Sequence, residues 1–196
     1  PAREIRILFS THSVPMADAA KSGPRDGGFG EGGAYVAQHR AVAEHLIARL
    51  RDEFAAASDI DWSLVFQSRS GPPSQPWLEP DINDVIAELP GEGITAVAVV
   101  PLGFVSDHME VLWDLDNEAK QSAADAGLAF VRTRTPGVHP AFVSGLVDLI
   151  EERLNGTPAA ERPHVTALGP WYDVSRPGSD ENEQLGFRPA AAGIAP

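Results

Sequence analysis

The groups best placed to do chemistry in this chain are an imidazole, His12, at the end of an apolar run, and a set of carboxylates within PLGFVSDHMEVLWDLDNEAK, residues 101–120. If Ser106 caps a helix there, a turn of 100° per residue sets Glu110, Asp114, Asp107 and Glu118 at roughly 0°, 40°, 60° and 80° around the axis. Residues four apart rise about 6 Å, so the stripe is a ladder of anionic steps and too stretched for one chelating cage. Like charges at that spacing cost a helix roughly 0.2–0.5 kcal/mol per pair. Neither Glu110–Asp114 nor Asp114–Glu118 has a Lys or Arg three or four positions away, whereas Asp116 has Lys120. A solvated acidic face is the bland alternative, but the missing counter-charges favour a stripe built to meet a cation. A neutral imidazole opposite it accepts protons near neutral pH, and the two ligand types suit Fe²⁺, Co²⁺ or Zn²⁺ without discriminating among them.

The remaining histidines read differently. His39 and His45 stand six apart, about 240° around a helix, and cannot share an ion on one face. His108 falls about 160° from the acidic stripe and reads as a packed or capping residue.

Four strand–helix repeats must position these groups. Ile5–Ser10, Trp62–Phe66, Thr95–Val100 and Leu128–Val131 are short apolar runs that read as strands. The spacing predicts helices over Tyr35–Ala57, from an Asp81 cap through Leu89, from Ser106 through about Asp125 with Gly127 near its end, and over His139–Leu154. That alternation predicts an α/β fold with a four-stranded parallel sheet flanked by helices in three layers. In such folds the site lies beyond the carboxyl ends of the strands. That edge collects His12, Gln67, Ser68, Arg69, Ser106, Asp107 and Thr133. Residues 1–154 read as the folded domain, and residues 155–196, rich in Pro, Gly and Ala, as an extension that is partly extended or disordered, with Trp171 and Tyr172 as an anchor.

Composition narrows the function. A net charge of −13 disfavours nucleic acid and anionic membrane surfaces, which need clustered Lys and Arg. The absence of cysteine excludes disulfides, thiolate catalysis and a cysteine-bound iron–sulfur cluster within this chain. The longest apolar run, 94–105, is too short to span a bilayer, and no signal-peptide pattern opens the chain, so the expectation is a cytoplasmic protein. The loop SGPRDGGFGEGG lacks the Gly-Lys-Ser/Thr ending of a phosphate-binding loop and reads as a mobile loop or lid. Ser13 has no Gly-x-Ser-x-Gly elbow around it, which disfavours a serine hydrolase.

LFSTHSVPM (8–16), FQSRSGPPSQPWLEPD (66–81), VVPLGFVSDHMEVLWDLDNEA (99–119) and the RTRTP segment with the helix after it together resemble the C-terminal half of a ferrochelatase of actinobacterial type. The resemblance implies a chelatase-type Rossmann-like domain and insertion of Fe²⁺, as substrate metal, into coproporphyrin III or protoporphyrin IX in heme biosynthesis. It implies that His12 takes protons from the pyrrole nitrogens with Glu110 as partner carboxylate, and that Asp114 and Glu118 continue a metal or proton path along a partly π-type helix. By the same likeness Ser13, the glycine-rich loop, Gln67, Ser68, Arg69, Trp77 and Ser106 border the tetrapyrrole. Arg69 and Arg134 are equally able to meet propionates or surface acids, while Trp77 and Trp113 by themselves read as core or loop anchors. The family chain is about twice this long, so an N-terminal half of the cleft is an expected partner. A metal- or tetrapyrrole-binding half without turnover and a cobalt chelatase of the same superfamily are the alternatives.

Overall fold

The computed structural model describes residues 1–24, 27–173, 179, 181–182 and 188–189. Strands β1 (Ile5–His12), β2 (Asp61–Gln67), β3 (Ala96–Val100) and β4 (Ala129–Arg132) form one parallel sheet in the order β2-β1-β3-β4. The expected four-stranded parallel α/β fold is therefore present. Helix α1 (Met16–Ala19) follows β1, α2 (Gly33–Glu53) leads to β2, and α3 (Ile82–Glu88) to β3.

Side chains alternate between faces along β1, and both faces are covered. Ile7 and Phe9 pack with Leu64, Phe66 and the α2 residues Ala43 and Ile47. Leu8 packs with Val65, Val97 and Val99 against Ile82 and Ile86 of α3 and against Val111, Leu115, Ala119 and Ala123 of the acidic segment. Asp81 caps α3 as expected, its carboxylate accepting from the Asn83 amide at 2.8 Å.

The acidic segment departs from the expected single α-helix. It runs as α4 (Met109–Val111), a π-helix (Leu112–Ala119) and α5 (Lys120–Asp125). Its cap is His108, which accepts from the Val111 amide over a long 3.5 Å contact, and not Ser106. The reason lies at Asp107: its carboxylate is drawn to Arg132 at 2.8 Å and to the Thr135 amide at 3.4 Å. That pull holds the chain out of the helix until residue 108. Asp107 therefore leaves the acidic stripe.

Strands β1 and β2 end together, His12 opposite Gln67, whereas β3 stops at Val100 opposite Phe9. The chain after β3 then crosses the end of β1, where the Gly103 amide donates to the Ser10 carbonyl at 3.1 Å. Only glycine fits this crossing, since a Cβ on Gly103 would lie 2.1 Å from Thr11 Oγ1.

Helix α6 (Pro140–Leu154) forms where the periodicity predicts, yet it buries no residue. Val143, Leu146, Val147, Ile150 and Leu154, an apolar stripe at helical spacing, are all exposed. Within the C-terminal extension a short 3₁₀ turn (Ala159–Glu161) precedes Arg162, which clamps Asp173 with bonds of 2.9 and 2.8 Å. Trp171 meets Phe29 of the glycine-rich loop at 5.9 Å between centroids, consistent with an anchor. A two-residue antiparallel pair, β5 (Glu181–Asn182) with β6 (Arg188–Pro189), lies further on, and the rest of the expected disordered tail falls outside the described residues.

Candidate active site

His12 closes β1, and its environment fixes which nitrogen is the base. Nδ1 contacts the Ser13 carbonyl oxygen. A carbonyl only accepts, so Nδ1 carries a proton and Nε2 is the ring nitrogen left to take up or give up one. That Nε2 stands 3.2 Å from Glu110 Oε1. A ring nitrogen and a carboxylate oxygen that face each other at this distance can share one proton between them. The pair is built to take one up, and it is open to do so: the His12 side chain is 36% exposed and that of Glu110 46%.

Backbone on both sides of His12 is pinned. The Ser13 amide donates to the Gln67 carbonyl at 2.7 Å, and Ser13 Oγ to the Leu78 carbonyl at 2.8 Å. Ser13 is 2% exposed and Gln67 1%, so neither presents the polar surface that the expected contact with a tetrapyrrole needs. Gln67 instead spans two neighbours: its Oε1 accepts from the buried Ser10 hydroxyl, and its Nε2 donates to Asp114 Oδ2 at 3.1 Å.

Asp114 also accepts from Ser68 Oγ. Ser68 has φ of 63°, the left-handed region that non-glycine residues seldom occupy, and it is held there at the site edge. Glu118 accepts from Trp113 Nε1 at 3.2 Å. Because i→i+5 bonding widens each turn to more than four residues, Glu110, Asp114 and Glu118 stay near one side of the π-helix. Each has its own neutral or imidazole partner. Among the described residues no three His, Asp or Glu side chains are gathered closely enough to hold an ion.

Asp116 faces elsewhere and meets Arg132, which donates to it through Nε and Nη2, both at 2.6 Å. Hydrogen bonding to Arg132, more than the charge of Lys120, holds the Asp116 carboxyl below its usual range, and the same bond raises the Arg132 guanidinium. Arg132, whose side chain is 9% exposed, is a clamp that sequence reasoning missed. Its position at the end of β4, beside the end of β3, is the signal that could have pointed to it.

The other expected contacts are scattered. Arg69 faces Glu79 at 3.7 Å. Trp77 packs over Gly71, where a Cβ would come within 2.3 Å of the indole nitrogen, and lines a cavity of about 370 Å³ with Met16, Leu64 and Phe66. Ser106 borders a separate groove of about 620 Å³ with Arg134, Thr135 and His139, and neither His12 nor Glu110 lines it. Trp113, read from sequence as an anchor, is 57% exposed, and Met109 beside Glu110 is 77% exposed. The acidic steps thus run beside open apolar surface.

A family model described as ferrochelatase matches residues 1–154. The chain is 61% identical over 201 residues to a coproporphyrin III ferrochelatase of Leifsonia xyli subsp. xyli, covering 100% of this chain and 50% of the relative. It is 58% identical over 193 residues to the coproporphyrin III ferrochelatase of Tropheryma whipplei strain Twist, covering 97% and 48%. Against that of Propionibacterium freudenreichii subsp. freudenreichii it is 43% identical over 192 residues, covering 98% and 51%. The chain spans about half the length of the curated relatives it matches.

Proposed function

The chain belongs to the ferrochelatase family, and from that premise we propose that it carries the proton-accepting side of a coproporphyrin III ferrochelatase, with residues 1–154 as the chelatase domain and 155–196 as an extension. The reaction exchanges two pyrrole N–H protons for one Fe²⁺, with no change of oxidation state. His12 Nε2 accepts a pyrrole proton, and Glu110 shares it. Asp114 and Glu118 pass protons outward or the metal inward along the π-helix. Ser68 and Gln67 hold Asp114 at its step, and Ser13 holds the His12 ring. Met109 and Trp113 offer apolar surface to the macrocycle.

One observation carries this reading: His12 Nε2 lies 3.2 Å from Glu110 Oε1 while Nδ1 is committed to the Ser13 carbonyl. Iron as the metal and coproporphyrin III as the macrocycle rest on family and on the names of the relatives, because carboxylate and imidazole ligands do not discriminate among divalent ions. The half that the relatives carry beyond this chain is the proposed partner. The exposed stripe of α6 supports it, since an apolar helix face of that kind normally has a cover.

The test is anaerobic Fe²⁺ insertion followed by absorbance, using coproporphyrin III beside protoporphyrin IX. The chain is assayed alone and with the complementary half of a relative. Insertion with the complement present, preferring coproporphyrin III, is the expected result. His12→Ala and Glu110→Gln each lower the rate by about 10²-fold or more. Parent-like rates in both variants refute the assignment, and binding without insertion under every condition makes the chain a tetrapyrrole-binding module.

A further inference from the structure

Behind His12, on the side away from Glu110, lies a chain of hydrogen bonds that the insertion chemistry does not use. Tyr35 Oη stands 2.8 Å from the His12 carbonyl oxygen and 2.9 Å from Thr11 Oγ1. Thr11 Oγ1 in turn stands 3.1 Å from His39 Nε2, and His39 Nδ1 lies 2.7 Å from the Tyr35 carbonyl oxygen. Carbonyls only accept, so Tyr35 gives its proton to His12 and His39 gives its Nδ1 proton to Tyr35. Burial lowers the affinity of His39 for a second proton, and the His12 carbonyl that Tyr35 Oη faces requires the phenol to keep its own. With His39 neutral, Nε2 accepts, and Thr11 spends its single proton there. The Thr11–Tyr35 contact is then left with no proton, because Tyr35 has already committed its own. Three contacts share two protons, and the Tyr35 hydroxyl is divided between Thr11 and the His12 carbonyl.

We propose that Tyr35 is a positioning residue for His12, and that Thr11 and His39 decide how much of its proton reaches the His12 carbonyl. This deepens the reading of His12 as the proton acceptor and rests on it. The physical link is one peptide plane. Its N–H, from Ser13, is held by the Gln67 carbonyl at 2.7 Å, and its C=O, from His12, by Tyr35. The Ser13 carbonyl that receives the ring Nδ1–H follows directly on that plane. Rotation of the plane changes ψ of His12 and φ of Ser13, and so moves the Ser13 carbonyl relative to the imidazole whose tautomer it selects. Thr11 is fully buried, so water does not replace a lost partner there.

The test reads the ring tautomers by long-range ¹H–¹⁵N NMR on this chain labelled at histidine, at neutral pH. In the parent, His12 and His39 both carry the proton at Nδ1. In Tyr35→Phe the His12 ring moves to a mixture containing the Nε2–H form, while His39 keeps its tautomer. In Thr11→Val the competing acceptor is gone and His12 stays fully Nδ1–H. A His12 tautomer untouched by Tyr35→Phe overturns the proposal, as does loss of the Nδ1–H form in Thr11→Val. In the insertion assay with the complementary half, Tyr35→Phe lowers kcat about five- to tenfold with KM for the porphyrin unchanged. A kcat equal to the parent's overturns the proposal while His12→Ala is inactive. If His12→Ala still inserts metal, the chelatase role of His12 fails, and the tautomer spectra still decide the positioning role.

Discussion

Replacing Gln67 by leucine tests whether a buried amide holds the acidic helix to the sheet. Gln67 is 1% exposed and joins Ser10, which is fully buried, to Asp114. Leucine fills similar volume, so the loss is polar. The Ser10 hydroxyl is stranded without its acceptor, which costs about 1–3 kcal/mol, and a hydrogen bond to a carboxylate disappears, about 1.5–3 kcal/mol. Asp114 keeps Ser68 as a donor and is only half-buried, which places the expected sum at about 2–4 kcal/mol. For a chain of this size that is a fall of about 5–15 °C in melting temperature. The assay is urea unfolding of the parent, Gln67→Leu, Ser10→Ala and the double variant. Removing both partners relieves the stranded hydroxyl, so the double variant should be more stable than the sum of the singles predicts, by about 1–2 kcal/mol. Additivity within about 0.5 kcal/mol, the behaviour of independent sites, would refute the bridging role.

Two other predictions concern the surface of the same domain. Arg132→Met removes the clamp on Asp107 and Asp116 and should cost about 1–2 kcal/mol at neutral pH. The folded-state affinity of Asp116 for protons is depressed below its ordinary value of 3.8. Its contribution is therefore present above pH 3.8 and is lost as pH falls through the lower folded value. With the Asp116 side chain 42% exposed, solvent screening limits this contribution to about 0.5–1 kcal/mol. The gap between parent and Arg132→Met in urea unfolding should hold from pH 6 down to about pH 3.8 and narrow as pH falls further, and an unchanged gap at lower pH would count against the clamp. Ile150→Glu on α6 should leave the stability of this chain within about 0.5 kcal/mol, yet abolish co-sedimentation with the complementary half of a relative. Retained association would remove α6 from the interface.

The sequence by itself determined the parts that depend on local pattern. Short β-branched and apolar runs alternating with helical periodicity dictated four parallel strands. The strand-end rule brought His12 and the acidic segment to one edge. The four-residue spacing of Glu110, Asp114 and Glu118 predicts steps in place of a cage, and the angle of His108, about 160°, sets it apart from that stripe.

Tertiary structure decided where those local preferences gave way to distant partners. Ser106 is a good capping residue, but Arg132, which lies 25 positions from Asp107 in sequence, pulls Asp107 aside and moves the helix start to Met109. Ser13 and Gln67 look like loop polar groups until the sheet register sets His12 opposite Gln67 and buries both as supports. The Tyr35–Thr11–His39 chain exists only because α2 packs on the face of β1, and its proton count follows from which oxygens are carbonyls. Hydrogen-bond direction and burial depend on neighbours far along the chain, and so they emerge only once the sheet and its helices have assembled.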